Sequence, residues 1–209
     1  MQEHVKAMVY AQLSNNRPWQ KIESSMAEID KIFCDFDIDM LKAKSSEEIL
    51  AEIFDIKCGN RKIQMQIKNL HSNIETLQKI DADVAGGINC YFTKTPLAKV
   101  IKDLSEGKYK LKGMGVALVC EYIKGIGIDV IKPDVHLRRI LGRLGYSKKE
   151  NASVGEALEI SQSISESLGL SLRELDTILW QYCTDGKFNI CGNAPKCGKC
   201  PVVDCPSRQ

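Results

Sequence analysis

No stretch of the chain approaches the ~18 consecutive apolar residues that a membrane-spanning helix needs, which excludes a helical span. The opening Met1-Gln-Glu-His-Val-Lys has neither the basic start nor the apolar run of a secretory signal, so a soluble protein of the cytoplasm or nucleoid is expected. No segment sustains the period-two alternation, bounded by hairpin turns, that would build a sheet of any size. Low-complexity tracts are lacking, and so is any internal repeat beyond a doubled Lys-Gly-x-Gly. Net charge is nearly lacking too: 29 basic against 27 acidic side chains leave +2, which by itself selects no partner. Nor is there a closed disulfide framework, because the cysteines number nine and four of them crowd the last nineteen positions.

What is there is a chain of 209 residues, 44% hydrophobic and 27% charged, enough for a core and for one or two domains. Apolar residues recur at three and four positions, as in Ile22, Met26, Ile29, Ile32, Phe33 and again in Ile63, Ile67, Leu70, Ile74, Leu77. Ser45/Glu48, Ser153/Glu156 and Ser171/Glu174 read as capping boxes, in which serine and glutamate satisfy each other's free backbone N–H groups. Arg17-Pro18 and Thr95-Pro96 add proline-type helix starts. The expected fold class is therefore all-α, with helices near 3–14, 18–33, 46–54, 60–79, 96–104, 115–124, 134–144, 153–169 and 171–184. Residues 81–95, with Gly86-Gly87, Tyr91 and Phe92, read as a loop or inserted turn that lines a pocket or whose aromatics anchor local packing. Charge is uneven along this map: residues 23–55 hold ten acidic and three basic side chains, and residues 94–150 hold thirteen basic and six acidic. The second stretch could face a polyanion or be an ordinary solvated surface.

Lys112-Gly113-Met114-Gly115 opens a helix, since Val116, Val119, Cys120 and Ile123 succeed it at helical spacing. The second copy, Lys124-Gly125-Ile126-Gly127, leads instead into the extended Ile128-Asp129-Val130-Ile131-Lys132-Pro133. Two glycines in a short turn permit positive φ and close approach of a ligand, and the next helix presents unpaired N–H groups, an arrangement that suits a phosphate as well as a plain helix-helix turn. About twenty residues on, Asp134 stands before Val135-His136-Leu137-Arg138-Arg139, placed to cap the helix whose inner face is Leu137, Ile140, Leu141 and Leu144. A carboxylate there faces the positive end of a helix, and in its charged form it could also steady positive charge developing on a sugar. Arg138, Arg139 and Arg143 are phosphate contacts or a solvated face. His136 has no metal partner at i+4 and is assigned no chemistry.

Cys191, Cys197, Cys200 and Cys205, separated by gaps of five, two and four, form a ligand set for a [4Fe-4S] cluster or a tetrahedral zinc, with Gly198 and Pro201 allowing the tight wrap. Cys34, Cys58, Cys90, Cys120 and Cys183 read as core thiols.

A Gly-x-Gly hairpin, an aspartate about twenty residues later and a C-terminal four-cysteine loop, in that order, resemble the helix-hairpin-helix DNA glycosylases of the endonuclease III type over most of the chain. Ala11-Gln12 with the polar Leu13-Ser14-Asn15-Asn16 resembles the family's Ala-Gln-Thr-Thr segment, whose glutamine fills the gap left by a flipped nucleotide. Ile56-Lys57-Cys58-Gly59-Asn60-Arg61-Lys62 is similar to its Gly-Leu-Tyr-Asn-Ser-Lys turn. Pro133-Asp134-Val135-His136 resembles its Val-Asp-Thr-His, and the stretch from Trp180 to Cys191 resembles the one ending at its first cluster cysteine.

The resemblance implies two helical lobes, 1–127 with the hairpin and 128–209 with the cysteine loop, and an active cleft between them. It implies a [4Fe-4S] cofactor rather than zinc on Cys191, Cys197, Cys200 and Cys205. It further implies DNA contacts through Gln12, Lys112, Gly113, Met114, Gly115, Val116 and Arg138, catalysis by Asp134, and double-stranded DNA with a damaged or mismatched base as the partner of a monomeric enzyme. Ala117 stands where bifunctional members carry a Schiff-base lysine, and Lys112 precedes the turn, so a monofunctional hydrolase is expected over a strand-nicking lyase. Only eleven residues precede Gln12, so the family's extra N-terminal helix is expected to be missing. Each cysteine gap equals the family's or is one shorter. A DNA-binding protein without catalysis, a bifunctional enzyme using another amine and an iron-sulfur redox protein are the competing classes. Which of Trp19, Tyr91, Phe92 or Tyr182 reaches a base pocket is not legible.

Overall fold

The computed structural model describes residues 1–15 and 17–208, and all regular structure among them is helical, as the apolar periodicity leads one to expect. The chain divides into two compact units, Met1–Ile126 and Gly127–Gln209. No helix among the described residues is long and apolar enough to cross a membrane.

Among its described residues the first unit holds ten α-helices: α1 (Gln2–Leu13), α2 (Trp19–Glu23), α3 (Met26–Ile32), α4 (Ile38–Ala43), α5 (Ser46–Asp55), α6 (Ile63–Lys68), α7 (Leu70–Asp83), α8 (Gly87–Lys94), α9 (Leu97–Ser105) and α10 (Val116–Gly125). The core gathers around α1, whose Val5, Met8, Val9 and Leu13 are buried, packed against α10 with its Val119, Tyr122 and Ile123. The helix expected over 18–33 is broken at Ser24-Ser25 and the one over 60–79 at Asn69, because those residues end one helix and start the next. Two helices lie where none was expected. Helix α4 starts at Asp37, whose carboxylate accepts the Met40 N–H at 2.9 Å.

Helix α8 occupies the segment read as a loop. Gly86 and Gly87 take φ of 89° and 76° and turn the chain into the helix, while Asp81 reaches over to accept the Ile88 N–H at 2.8 Å. The pair of glycines thus marks a left-handed helix entry rather than a loop. Tyr91 and Phe92 do act as packing anchors: they are buried, and Tyr91 meets Tyr109 and Phe92 meets Tyr122 edge-on at 5.5 and 5.6 Å.

His4, 3% exposed, ties three helices of this core together. Its Nε2 lies 2.9 Å from Asn89 Oδ1 on α8 and its Nδ1 lies 2.7 Å from the Tyr122 hydroxyl on α10. A carboxamide oxygen only accepts, so Nε2 carries the proton and Nδ1 accepts from Tyr122. A second proton would break that bond, and burial accordingly lowers the His4 pKa from its ordinary 6.5, against a smaller opposing effect of the Asn89 bond. Because the folded value is the lower one, this contribution to stability is complete above the unfolded pKa of about 6.5 and is lost as pH falls from there through the folded value. Thermal melts between pH 8 and pH 5 should show the midpoint falling in that window, and His4→Gln should flatten the fall.

The second unit holds α11 (Val135–Arg143), α12 (Val154–Leu168) and α13 (Leu172–Cys183) around Ile131, Leu137, Leu141, Ala152, Ala157 and Leu175. Ser45, Ser153 and Ser171 all form the expected capping boxes with their glutamates. Asp129 adds a further cap, accepting the N–H groups of Leu172 and Arg173 at 3.1 and 2.9 Å. The segment between α11 and α12 folds back over α11 so closely that a Cβ at Gly142 would lie 2.1 Å from the carbonyl oxygen of Glu150. Gly142→Ala should therefore cost about 2 kcal/mol or more in urea unfolding. Gly155→Ala, on α12 with nothing within 4 Å, should gain about 0.5–1 kcal/mol.

Candidate functional site

In the first unit, Leu104 accepts the Leu111 N–H at 2.8 Å and the buried Leu111 side chain fixes the start of the hairpin. Leu111 then accepts the Met114 N–H at 3.1 Å, closing a turn in which Gly113 has φ of 78°. Met114 is 2% exposed, so its side chain is a plug in the core and only its backbone remains on the loop. Lys112 and Gly115 are exposed, and Gly113 and Val116 half-buried. Helix α10 begins after Gly115, which brings no side-chain oxygen to its free N–H groups. The N–H groups of Gly113, Gly115, Val116 and Ala117 have no acceptor among the described residues. Such a row of N–H groups at a helix start, beside an exposed lysine, is a place where an anion fits.

Gln12 lies in the last turn of α1, and the turn at Ile56–Lys62 is pinned to it. The Gln12 carbonyl accepts from Asn60 Nδ2 at 2.9 Å and from Gln66 Nε2 at 3.1 Å, while Arg17 donates to the carbonyls of Gly59, at 2.6 Å, and Lys57. The structure thus joins two segments that the sequence comparison singled out separately. The Gln12 side chain itself is 2% exposed, and its Nε2 is buried without a partner. Asn16 lies outside the described residues.

In the second unit, Asp134 is half-buried and caps α11. Its Oδ1 accepts the N–H groups of His136 and Leu137 at 2.8 and 3.1 Å, and its Oδ2 has no hydrogen-bond partner among the described residues. The arginines of α11 all make hydrogen bonds inside the unit. Arg138 donates through Nε to the Ala152 carbonyl at 2.6 Å. Arg139, 6% exposed, donates to Asn193 Oδ1 at 2.7 Å and lies 3.1 Å from His136 Nδ1, which accepts from it. His136 is thereby held neutral, its pKa lowered first by burial and further by Arg139, against the pull of Asp134. Arg143 donates to the Gly192 carbonyl at 2.6 Å and approaches Cys191 Sγ at 3.8 Å.

Cys191, Cys197, Cys200 and Cys205 line one cavity of about 240 Å³, together with Tyr182 and aliphatic side chains of α11 and α13 such as Ile140 and Leu179. The Ile190 and Cys191 N–H groups donate to the Tyr182 carbonyl at 2.9 and 3.1 Å, anchoring the loop to the end of α13. The Tyr182 hydroxyl donates to Cys200 Sγ at 3.3 Å, and Cys205 Sγ donates to the Arg143 carbonyl at 3.2 Å. Cys183, 1% exposed, donates to the His136 carbonyl at 3.9 Å; interaction between the neighbouring Cys183 and Cys191 thiols, and then Arg143, lowers Cys191 to about 6, while the same interaction and burial raise Cys183. Cys58 and Cys120 are core thiols as expected, but Cys34 and Cys90 are only half-buried. No three metal-binding side chains gather around one point among the described residues. The donor set fits a thiolate-held group in kind, because four cysteines line a single, largely apolar cavity.

Sequence reasoning missed three contributions. Those of Asn193 and Arg143 were hidden because their partners lie about fifty residues away in the chain, and that of Asn73, which holds the Lys112 N–H and carbonyl, because its partner is backbone 39 positions on. A signal for the last existed: an asparagine within the apolar face formed by Leu70, Ile74 and Leu77. Trp19 packs edge-on to Tyr10 at 6.5 Å, and of the four aromatics considered only Tyr182 borders the thiol cavity. Comparison with protein-family models, curated proteins and solved structures returns no match.

Holding one group with four thiols has a direct check. Protein purified without oxygen should contain iron and acid-labile sulfide in equal amounts, and Cys200→Ser should lose both, whereas Cys34→Ser should retain them. Stoichiometric zinc without iron would assign the site to the other metal.

Proposed function

We propose that the chain is a DNA glycosylase that hydrolyses the N-glycosidic bond of a damaged or mismatched base in double-stranded DNA, with a [4Fe-4S] cluster on Cys191, Cys197, Cys200 and Cys205. The observation that carries this reading is the division of labour within the Asp134 carboxylate. One oxygen is fixed by two helix N–H groups and the other is left free, so the charge is both oriented and able to act on something outside the protein. The hairpin supports it, offering N–H groups and the exposed Lys112 to the phosphate backbone.

In this proposal the hairpin anchors the DNA backbone and the target nucleotide leaves the stack. The free oxygen of Asp134 faces the sugar. As the bond between C1′ and the base nitrogen breaks, its electron pair leaves with the base, and positive charge spreads over C1′ and the ring oxygen, where the carboxylate stabilises it. A water molecule then adds its oxygen to C1′ and its proton passes to the nitrogen of the departed base, leaving an abasic site and the free, neutral base. Ala117 offers no amine to attack C1′, so the reaction stops there. The cluster, when bound, holds the C-terminal loop; the chain's own Arg143 and Tyr182 orient Cys191 and Cys200 for it.

A non-catalytic DNA-binding role is the second reading, and Ala117 favours it by removing one reactive group. Asp134→Asn separates the two. An enzyme should lose about a hundredfold or more of base release while its duplex affinity is unchanged. A binder should show no release from either form, across duplexes bearing oxidised pyrimidines, alkylated purines and uracil or thymine mismatches. Borohydride trapping of a covalent protein-DNA adduct would reassign the enzyme as a lyase.

A further inference from the structure

Asn73 is wholly buried on α7, on the face that Leu70, Ile74 and Leu77 pack into the core. An aliphatic side chain would fill that place without the desolvation that a carboxamide incurs. Yet both ends of this carboxamide are used, and on one residue: Oδ1 accepts the Lys112 N–H at 2.7 Å and Nδ2 donates to the Lys112 carbonyl at 3.0 Å. The partner stands 39 positions further along the chain and immediately before Gly113.

We propose that Asn73 is a positioning residue that sets the hairpin for a phosphate group; the inference rests on the hairpin being the DNA anchor. With the Lys112 backbone held on both its N–H and its C=O, the loop has one register. The Met114 side chain plugs the core on one side of it, and Met65 Cε lies 3.2 Å from where a Gly113 Cβ would be, so that flank of the turn is closed. Gly115 has nothing within 4 Å of its own Cβ position, so the other flank is open. The N–H groups of Gly113, Gly115, Val116 and Ala117 are thereby ordered as a set before any ligand arrives, and a phosphate that binds there need not order the loop itself. Lys112 supplies the charge and Asn73 the geometry.

The test uses the full chain and a labelled duplex containing a tetrahydrofuran abasic analogue. Asn73→Ala should weaken binding about tenfold. In hydrogen exchange, the wild type should show a protected Lys112 amide in the free protein and, on adding duplex, protection of the Gly113, Gly115, Val116 and Ala117 amides. Asn73→Ala should lose the DNA-dependent protection while the Ile74 and Leu77 amides stay protected, which a general loosening of the core would not spare. Gly113→Val, which cannot hold φ of 78° without strain, serves as the hairpin control.

If Gly113→Val loses affinity and Asn73→Ala does not, the positioning role is overturned and the DNA reading stands. If the wild type neither binds the duplex nor gains hairpin protection, the DNA reading falls and this inference with it. Should Asn73→Ala not fold, Asn73→Asp retains the acceptor for Lys112, and exchange in the wild type still decides: a Lys112 amide that exchanges like a free loop residue overturns the proposal.

Discussion

The first backbone N–H groups of a helix have no partner inside it, and how each helix start meets that need organises both units. Three starts are closed by capping boxes, α4 by Asp37 and α13 additionally by Asp129. Most of the other starts carry no side-chain cap, and two starts bear on the proposed chemistry. At α11 the cap is a carboxylate with one oxygen to spare, and at α10 a glycine brings no side-chain oxygen and leaves N–H groups without an acceptor among the described residues. The same electrostatic need that shapes the helices therefore supplies an oriented anion in one unit and a row of donors in the other, the two elements on which the proposed DNA chemistry is built.

Around these points the structure turns polar side chains inward to hold backbone. Asn73 grips Lys112, Asn60 and Gln66 hold the Gln12 carbonyl, Arg138 holds Ala152, and Arg143 holds Gly192. Each replaces water on a carbonyl or N–H group with fixed side-chain partners, so irregular segments can be packed without orphaned backbone groups. The four-thiol loop is held by the same means, through the carbonyls of Tyr182 and Arg143.

Much of the helical pattern is legible in the sequence because it is local. Asp134 as a cap, the helix opening after Gly115 and the three serine-glutamate boxes are interactions across two to four positions, and each stands where the spacing places it. The misreadings have a common cause. Gly86-Gly87 suggests a loop because glycine permits a sharp turn equally well before a loop and before a helix such as α8. Arg138, Arg139 and Arg143 suggest surface groups because side-chain type alone favours exposure, whereas their partners hold them against their own unit; Gln12 is buried with the packed face of α1.

The amino-acid sequence by itself determined an all-helical chain, its principal caps and the four thiols of the C-terminal loop, since period, capping and ligand spacing act between near neighbours. Only the tertiary structure decided that Gln12 lies inside, that the α11 arginines face their own unit, that the four thiols share one cavity and that Asn73 grips the hairpin. Those outcomes depend on which groups meet across tens of residues, and burial and long-range hydrogen bonding, unlike periodicity, leave no fixed spacing in the chain to read.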